Sequence, residues 1–555
     1  MRFPRHILFL SLAAVACSVI ASNPFDFLRR QAPQPPTPQQ KLMMAQQAIS
    51  QLYVDSVDQD KLVEDAIKGM LEKLDPHSQY SSPEETRELN EPLQGNFSGI
   101  GISFNIATDT LYVIQTISGG PAERVGLLPG DRIIAVNDSA IAGVKMKNSD
   151  IQKRLRGPKG TDVDVTVLRH SGAVPDTIEF TITRADIPIY SVDAAYLVDA
   201  STGYIRLNKF GAETANEFIK AVKDLKKQGM KQLILDLTDN GGGYLNAATD
   251  ILGEILEPGE LAVYTEGLRS PRYDAIASPK GNRRVFPDGK IVVMVNQYSA
   301  SASEITAGAL QDHDRALIVG RRSFGKGLVQ RPVTFPDGSM MRLTVAHYYT
   351  PSGRDIQKPY SKGDEEAYRR DIENRFNNGE LMHADSIHLA DSTEYRTLRL
   401  GRTVYGGGGI MPDRFVPLDT TENTKYYRNV VAKGIINKYV ISYVDENRDR
   451  LKKMYKNDDR FVDKFEVTDE MLDAMRKMAD KEEIEFNEEE YLRSLPLFRT
   501  VIKSLIGRDL YDQATYFKIF NNHSPIFKEA YKLINSQDYT TLLSPGKSDN
   551  SGNPE

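Results

Sequence analysis

Apolar side chains recur every three or four residues from Leu42 to Leu74 (Leu42, Ala45, Ile49, Leu52, then Leu62, Ala66, Ile67, Met70, Leu71, Leu74). That spacing predicts two or three helices in an N-terminal region, 42–96, with the first run stopped where Asp75 meets Pro76. Between 97 and 183 the period changes. Short β-rich runs (GIGISF, LYVIQTI, RIIAVN, VDVTVLR, TIEFTIT) alternate with glycine and proline, which predicts a compact β-rich domain. From 184 to 418 apolar strands alternate with helical stretches. The strands are GYIRL (203–207), QLILDL (232–237), LAVYTE (261–266), IVVMVN (291–296) and ALIVG (316–320), and the helices fall at 213–229, 245–256 and 303–311. Such alternation predicts an α/β sheet covered by helices. A charged, partly helical insertion at 357–405 breaks the rhythm. Residues 419–543 read as a charged helical domain, and 544–555 as a disordered polar tail.

The N-terminus reads differently. Arg2 and Arg5 precede an apolar run from Ile7 to Ala21, the pattern of a secretory signal peptide over 1–21. These 15 residues are short of the roughly 20 that span a bilayer. Cys17 follows Ala14-Val15-Ala16, similar to a bacterial lipoprotein cleavage box, whereas cleavage nearer Ala21 would remove it. Both outcomes stay open, and a lipid on Cys17 is the one membrane attachment expected. Residues 22–41 form a proline-rich linker; QAPQPPTPQQ at 31–40 reads as an extended spacer.

Composition narrows the function. The 555 residues carry 70 Lys+Arg against 76 Asp+Glu, a net charge of −6. Without a basic excess, duplex nucleic acid is not an expected partner. One cysteine excludes intramolecular disulfides and all-cysteine metal sites, and no His-x-x-x-His pair occurs among the 8 histidines. No metal and no cofactor are expected. His77 and His313 read as turn or surface residues.

Two segments carry candidate chemistry. In Asn296-Gln-Tyr-Ser299-Ala-Ser301-Ala-Ser303-Glu304 a serine stands at a strand-to-helix junction, where unpaired helical N–H groups favour developing negative charge. Ser301-x-x-Glu304 is equally the pattern of a capping box. Lys326, in Ser323-Phe-Gly-Lys-Gly-Leu-Val-Gln330, has apolar and glycine neighbours. Poor solvation lowers a lysine pKa and makes a neutral amine available as general base. A strand over 326–335 would put Lys326, Leu328 and Gln330 on one face, where Gln330 could orient the amine. Gly320 to Lys326 also fits the start of a phosphate-binding loop, but Gly327 lacks the required hydroxyl and the following LVQRPVTF is β-like. The third element, Leu235-Asp-Leu-Thr-Asp-Asn-Gly-Gly-Gly243, closes a strand with glycines able to aim backbone N–H groups at an oxyanion.

Together these segments resemble the C-terminal processing (tail-specific) serine peptidases over residues 42–418. The likeness includes Leu74-Asp-Pro-His-Ser78, Phe97-Ser-Gly-Ile-Gly-Ile102, Gly120-Pro-Ala122, Gly130-Asp-Arg-Ile133 and Leu155-Arg-Gly-Pro-Lys-Gly-Thr161. It continues through Asp236 to Gly243, Ser299 to Gly308 and Arg322 to Gln330. The family separates nucleophile and base by 25 residues; 326 − 301 = 25 selects Ser301, and Gln330 lies the expected four beyond Lys326. The resemblance implies Ser301 as nucleophile, Lys326 as base, Gln330 as its orienting partner, and Gly243 or Gly242 with Ala302 as oxyanion donors. Two positions depart from the pattern: Thr238 stands where the family commonly has arginine, and Gly241 where proline or serine is usual.

The implied architecture is multidomain α+β: N-terminal helices, a PDZ domain at 97–183, a crotonase-like α/β peptidase core at 184–418, and a C-terminal helical region. In the PDZ domain Gly99, Ile100, Gly101 and Ile102 would bind a substrate's terminal carboxylate, the next strand would accept the peptide, and a helix at 147–155 would form the other wall. The expected protein is a serine endopeptidase exported to the bacterial cell envelope (periplasm), acting on protein tails; an adaptor or lipoprotein partner is left open. Two other classes compete. An inactive PDZ-bearing envelope scaffold would have no need of Ser301, Lys326 and Gln330 together. A crotonase-like thioester enzyme would need neither the PDZ domain nor the export signal.

Overall fold

The computed structural model describes residues 35–107, 109–169, 175–389 and 393–545. The leader at 1–21 with Cys17, linker residues 22–34 and the tail from 546 lie outside the described residues. Among those described, no helix is long and apolar enough to cross a membrane.

The chain divides after Leu71. The first unit holds two helices, Pro38–Leu52 and Gln59–Leu71. The extended spacer expected through residue 40 stops at Thr37, which caps the first helix. Thr37 Oγ1 accepts the Gln40 N–H at 3.3 Å, and Gln40 Oε1 accepts the Thr37 N–H at 2.9 Å. Pro38 is the first helical residue, where its missing N–H costs nothing and its fixed φ suits the helix.

In the second unit the β-rich domain is a sheet in the order Ile102–Ala107, Thr110–Thr116, Arg132–Val136, Asp162–Arg169, Asp176–Thr183, with Ser139–Ala140 pairing off the third strand. Period-2 patterning builds its core: Val163, Val165 and Val167 are buried while Asp162 and Asp164 face out. Helix Asn148–Leu155 closes the core with Ile151 and Leu155. Strand Asn96–Gly99 pairs antiparallel with Ala185–Pro188, so the chain enters and leaves the domain side by side.

The central sheet has six strands in the order Val192–Leu197, Thr202–Leu207, Gln232–Asp236, Ile291–Val295, Leu317–Gly320, Arg414–Phe415; all neighbours are parallel except the first pair. Its strands are apolar on both faces because both are covered. Leu233, Leu235, Val293 and Ile318 pack with helices Thr214–Lys227, Leu245–Gly253 and Ala302–Asp312. Ile234, Val292, Met294 and Val319 pack against Ile526, Phe527, Ala530 and Leu533 of helix Pro525–Ile534. The end of the C-terminal region therefore completes the core, while helices between Lys425 and Leu510 form a separate apolar cluster around Phe461, Phe498 and Ile502.

The strand at Leu261–Gly267 does not join the central sheet, contrary to the simple alternation. It lies in a second, antiparallel sheet ordered Gln79–Ser81, Met340–Tyr349, Leu261–Gly267, Ser270–Ile276, with Leu328–Thr334 also on Met340–Tyr349. The reason is the connection: a tight turn through exposed Leu268 leads straight into Ser270–Ile276, so no crossover helix intervenes to make a parallel neighbour. The insertion is anchored by buried ion pairs: Glu380 accepts from Arg322 Nε and Nη2 at 2.8 Å and from Arg375 Nε at 2.7 Å.

If the last helices complete the sheet, Phe527→Ala should lower stability by about 3–5 kcal/mol. Leu492→Ala, on an exposed helical surface, should change it by less than about 0.5 kcal/mol. Urea unfolding followed by circular dichroism compares the two, and equal effects would contradict the packing.

Candidate active site

The three candidate serines have different fates. Ser299 is fully buried; its Oγ donates to the Leu237 carbonyl at 2.8 Å and accepts the Asn296 N–H at 2.9 Å. Ser303 is fully buried too, with its Oγ donating to the Asn240 carbonyl at 2.9 Å. Both hydroxyls tie the serine turn to the glycine turn. Ser301 instead lines a cavity of about 460 Å³ with Gly241, Gly242, Gly243, Ala302, Lys326, Gln330 and Tyr348 among its walls. Its backbone is at φ 56°, ψ −114°, immediately before helix Ala302–Asp312. Non-glycine residues occupy that region at a cost and need surrounding structure to hold them there.

Glu304 does the holding. It is almost wholly buried. One carboxylate oxygen accepts the Ser301 N–H at 2.8 Å and the Lys326 N–H at 2.9 Å. The other accepts the Ser323 hydroxyl at 2.5 Å and the Gly325 N–H at 2.7 Å. Burial holds the Glu304 carboxyl above the ordinary carboxylate range, and the hydrogen bonds it accepts offset this in part. Three of the four partners are backbone N–H groups, which only donate, so both carboxyl oxygens must serve as acceptors. Thus the capping glutamate of the sequence pattern also grips the lysine segment. Tyr348 adds a second tie: its hydroxyl donates to the Lys326 carbonyl and lies 3.1 Å from the Ser301 carbonyl.

Lys326 precedes its strand rather than lying in it; the strand begins at Leu328 and its register shifts between Val329 and Gln330. The expected pairing nevertheless forms, with Lys326 Nζ donating to Gln330 Oε1 at 3.1 Å. Burial first, and the nearby Arg342 second, hold the Lys326 amine below the ordinary lysine range. Gln330 is itself oriented, because its Nε2 donates to the His77 carbonyl. His77 is thus no surface histidine. Asp75 shapes its turn by accepting the His77 and Ser78 N–H groups, each at 2.9 Å, and the His77 ring nitrogen Nε2 lies 2.8 Å from the hydroxyl of Tyr368 in the insertion. Burial, with Lys326 next in importance, lowers the His77 pKa to about 4, so the ring is neutral at pH 7. Sequence reading missed Tyr348, Tyr368 and the part played by His77; the Leu74 to Ser78 motif was the one available signal.

The glycine turn closes tightly on the serine. Gly242 has φ 98°, and a Cβ there would stand 2.8 Å from both the Ala300 carbonyl and Ser301 Cβ. Its N–H donates to Asn240 Oδ1 at 2.9 Å. Gly243 follows, and Ala302 opens the helix, a position whose N–H has no intrahelical acceptor.

Of the expected tail-binding residues, Ile100, Gly101 and Ile102 line a groove of about 220 Å³ with Phe97, Phe104, Asn148, Gln152, Leu155 and Arg156. Gly99 stands apart, paired with Ala185. Among the described residues there is no group of three or more His, Cys, Asp or Glu side chains able to hold a metal ion.

The sequence model for peptidase family S41 matches residues 201–367, a PDZ domain model matches 112–169, and a model for the activating protease CtpB N-terminal domain matches 26–86. Residues 426–512 match a family of unknown function. A carboxy-terminal-processing protease of Bartonella bacilliformis is 37% identical over 312 residues, covering 55% of this chain and 69% of the relative. The carboxy-terminal processing protease CtpB of Bacillus subtilis is 34% identical over 323 residues, covering 57% of this chain and 65% of the relative. Among solved structures, the photosystem II D1 C-terminal processing protease is 32% identical, covering 58% of this chain and 91% of that one with a TM-score of 0.32.

Glu304→Gln tests the bridging carboxylate. An amide offers one acceptor oxygen, so its NH₂ must face the Gly325 N–H or the pair from Ser301 and Lys326. A shift of that kind in the reacting geometry costs on the order of 100-fold in kcat, which peptide-cleavage kinetics would measure. Wild-type kcat in the variant would mean the bridge is dispensable.

Proposed function

Because the chain belongs to peptidase family S41, with relatives named as carboxy-terminal processing proteases, we propose that it is an exported serine endopeptidase that captures protein C-terminal tails and cleaves the chain near them. The observation that carries the catalytic part is the convergence of Ser301, the Lys326–Gln330 pair, Gly243 and Ala302 on one cavity, with Glu304 bonded to both reacting segments.

The chemistry runs in two halves. Neutral Lys326 Nζ takes the Ser301 hydroxyl proton as Oγ attacks the scissile carbonyl carbon. The N–H groups of Gly243 and Ala302 stabilise the resulting oxyanion. Lys326, now an ammonium, returns its proton to the departing amine, leaving an acyl ester on Ser301. Water then attacks the ester, with Lys326 again as base, and releases the acid. Gln330 keeps the amine aimed throughout. Gly242 is not assigned as a donor because its N–H is engaged by Asn240. The PDZ groove between Ile102–Ala107 and helix Asn148–Leu155 takes the tail by strand addition, with its carboxylate at Ile100 to Ile102. Export to the periplasm rests on the charged-then-apolar sequence of residues 1–21.

Ser301→Ala and Lys326→Ala should each fold and lose peptide hydrolysis by roughly three orders of magnitude or more, since the two act as a unit. In the wild type, kcat/KM should rise with pH as Lys326 loses its proton and fall below its pKa. That acid limb should lie beneath the ordinary lysine value of 10.5. Substantial activity in Ser301→Ala with loss in Ser303→Ala would move the nucleophile.

The tail-capture step predicts discrimination by charge. A peptide with an apolar free C-terminus should bind about tenfold or more tightly than its C-terminal amide, because a charge-assisted hydrogen bond contributes about 1.5–3 kcal/mol. Equal affinity of the two peptides for the Ser301→Ala protein, measured by calorimetry, would assign the groove another job.

A further inference from the structure

The turn carrying Gly243 starts from a buried ionic cluster that takes no part in the steps above. Asp236 ends strand Gln232–Asp236 and is almost wholly buried. Its Oδ1 accepts the Thr238 N–H at 2.8 Å and the Thr238 hydroxyl at 2.7 Å. Its Oδ2 accepts the Tyr204 hydroxyl at 2.5 Å and Arg206 Nη1 at 2.7 Å. The same Nη1 also donates to Thr238 Oγ1 at 2.7 Å. Nη1 has two hydrogens and the threonine oxygen both donates and accepts, so the ring of hydrogen bonds closes with every group used correctly.

Arg206 is supplied by the neighbouring parallel strand, where it stands opposite Asp236 in register. Its side chain is 12% exposed, and the Phe517 ring of helix Gln513–Phe520 stacks over it, 4.7 Å from Cζ. The guanidinium is therefore fixed between a carboxylate and an aromatic face. Position 238 is where the resemblance described above leads one to expect arginine. This chain places threonine there and brings a guanidinium to the same carboxylate from one strand over.

The strand bearing Arg206 and its continuation hold the turn along its whole length. Arg206 fixes the entry at Asp236 and Thr238. In the middle, Asn240 Nδ2 donates to the Leu207 carbonyl at 2.8 Å while Asn240 Oδ1 accepts the Gly242 N–H. At the exit, the Phe210 N–H donates to the Gly242 carbonyl at 2.9 Å and the Tyr244 N–H to the Phe210 carbonyl at 2.7 Å. Backbone groups secure the exit, whereas side chains secure the entry: Arg206 and Tyr204 on Asp236, Ser299 on the Leu237 carbonyl, and Asn296 on Asp239. A buried ion pair is weak as a stabiliser in itself; here both oxygens of Asp236 are engaged, while Arg206 Nε stands 3.8 Å from Asp193 Oδ2, beyond hydrogen-bond reach.

We propose that Arg206 is a positioning residue for peptide hydrolysis, setting the Asp236–Thr238 entry of the turn and thereby the placement of the Gly243 N–H beside Ser301. The proposal rests on the peptidase reading of the Ser301 cavity. Removing the guanidinium leaves the donors present but displaced, so it should affect the chemical step more than substrate capture.

The test uses the full chain, a quenched fluorescent peptide with an apolar free C-terminus, and the variants Arg206→Thr and Arg206→Thr/Thr238→Arg. Arg206→Thr should lower kcat on the order of 100-fold with KM within about threefold, as expected when oxyanion donors move out of place. The double variant returns a guanidinium to Asp236 from position 238 and should recover most of the loss. A folded Arg206→Thr protein with kcat within about threefold of wild type would overturn the proposal. So would a folded double variant with no recovery. If Arg206→Thr does not fold, the double variant decides alone: folded and active sustains the proposal, folded and inactive sinks it. Amide hydrogen exchange over 239–243 separates this idea from its premise. Faster exchange in Arg206→Thr, restored in the double variant, supports positioning even if a Ser301→Ala control proved active and removed the peptidase assignment. Unchanged exchange overturns it.

Discussion

The site depends on a single buried carboxylate. Glu304 accepts hydrogen bonds from Ser301, Ser323, Gly325 and Lys326. Three of these are backbone N–H groups that loops would otherwise leave without partners, and an unpaired buried donor is costly. A carboxyl offers them two acceptor oxygens, and an amide in its place would set donor against donor. The same four contacts hold Ser301 at positive φ and bring the lysine segment alongside it. Candidate nucleophile and candidate base come from different elements, the turn after Ile291–Val295 and the approach to Leu328–Thr334. Their proximity is a property of Glu304 as much as of either residue.

Around that bridge the fold works by covering and pinning. The central sheet is apolar on both faces, so it requires helices on each. One layer comes from segments between its strands and the other from the far end of the chain. The C-terminal helices therefore cannot be a detachable appendage: Phe527 and Leu533 belong to the sheet's core, and Phe517 covers Arg206. The insertion is likewise integral. Glu380 bonds Arg322, just ahead of the lysine segment, and Tyr368 meets His77, whose carbonyl receives Gln330.

The PDZ domain is inserted through the paired strands Asn96–Gly99 and Ala185–Pro188. On its far side it meets the helical region. Arg132 pairs with Asp445 at 2.5 Å, and Gln115 Nε2 donates to the carbonyls of Arg508 and Tyr511 at 2.8 and 3.0 Å. Gln115 lies in the strand directly paired with the groove strand, opposite Ser103. The groove is thereby connected to both the core and the helical region. Ile114 and Ile441 also pack together in this second connection, beside Tyr112; its ion pair is partly exposed, so ionic strength weakens that ionic part.

Local pattern made much of this legible. Helix and strand periodicities located four of the six central strands and the helices between them, because backbone geometry fixes those periods, but left Val192–Leu197, Ser270–Ile276 and Arg414–Phe415 unread. The resemblance to a peptidase family, through that family's spacing, singled out Ser301, Lys326 and Gln330, and short-range chemistry explained why a lysine among glycines and apolar residues would be easily deprotonated. Tertiary structure decided what depends on partners distant in sequence. It took Ser299 and Ser303 out of contention by engaging their hydroxyls with the glycine turn, and engaged the Gly242 N–H with Asn240. Leu261–Gly267 went to a second sheet, which alternation of elements cannot distinguish from the first. Gln330 received its orienting carbonyl from His77, 253 residues away. Asp236 received a guanidinium from Arg206, one strand over, beside the hydroxyl of Thr238. The sequence determined which segments could carry the chemistry, because conformation and solvation are set largely by near neighbours. Only the fold decided which atoms remained free to act, because a hydrogen-bonding group is committed or available according to what long-range packing brings against it.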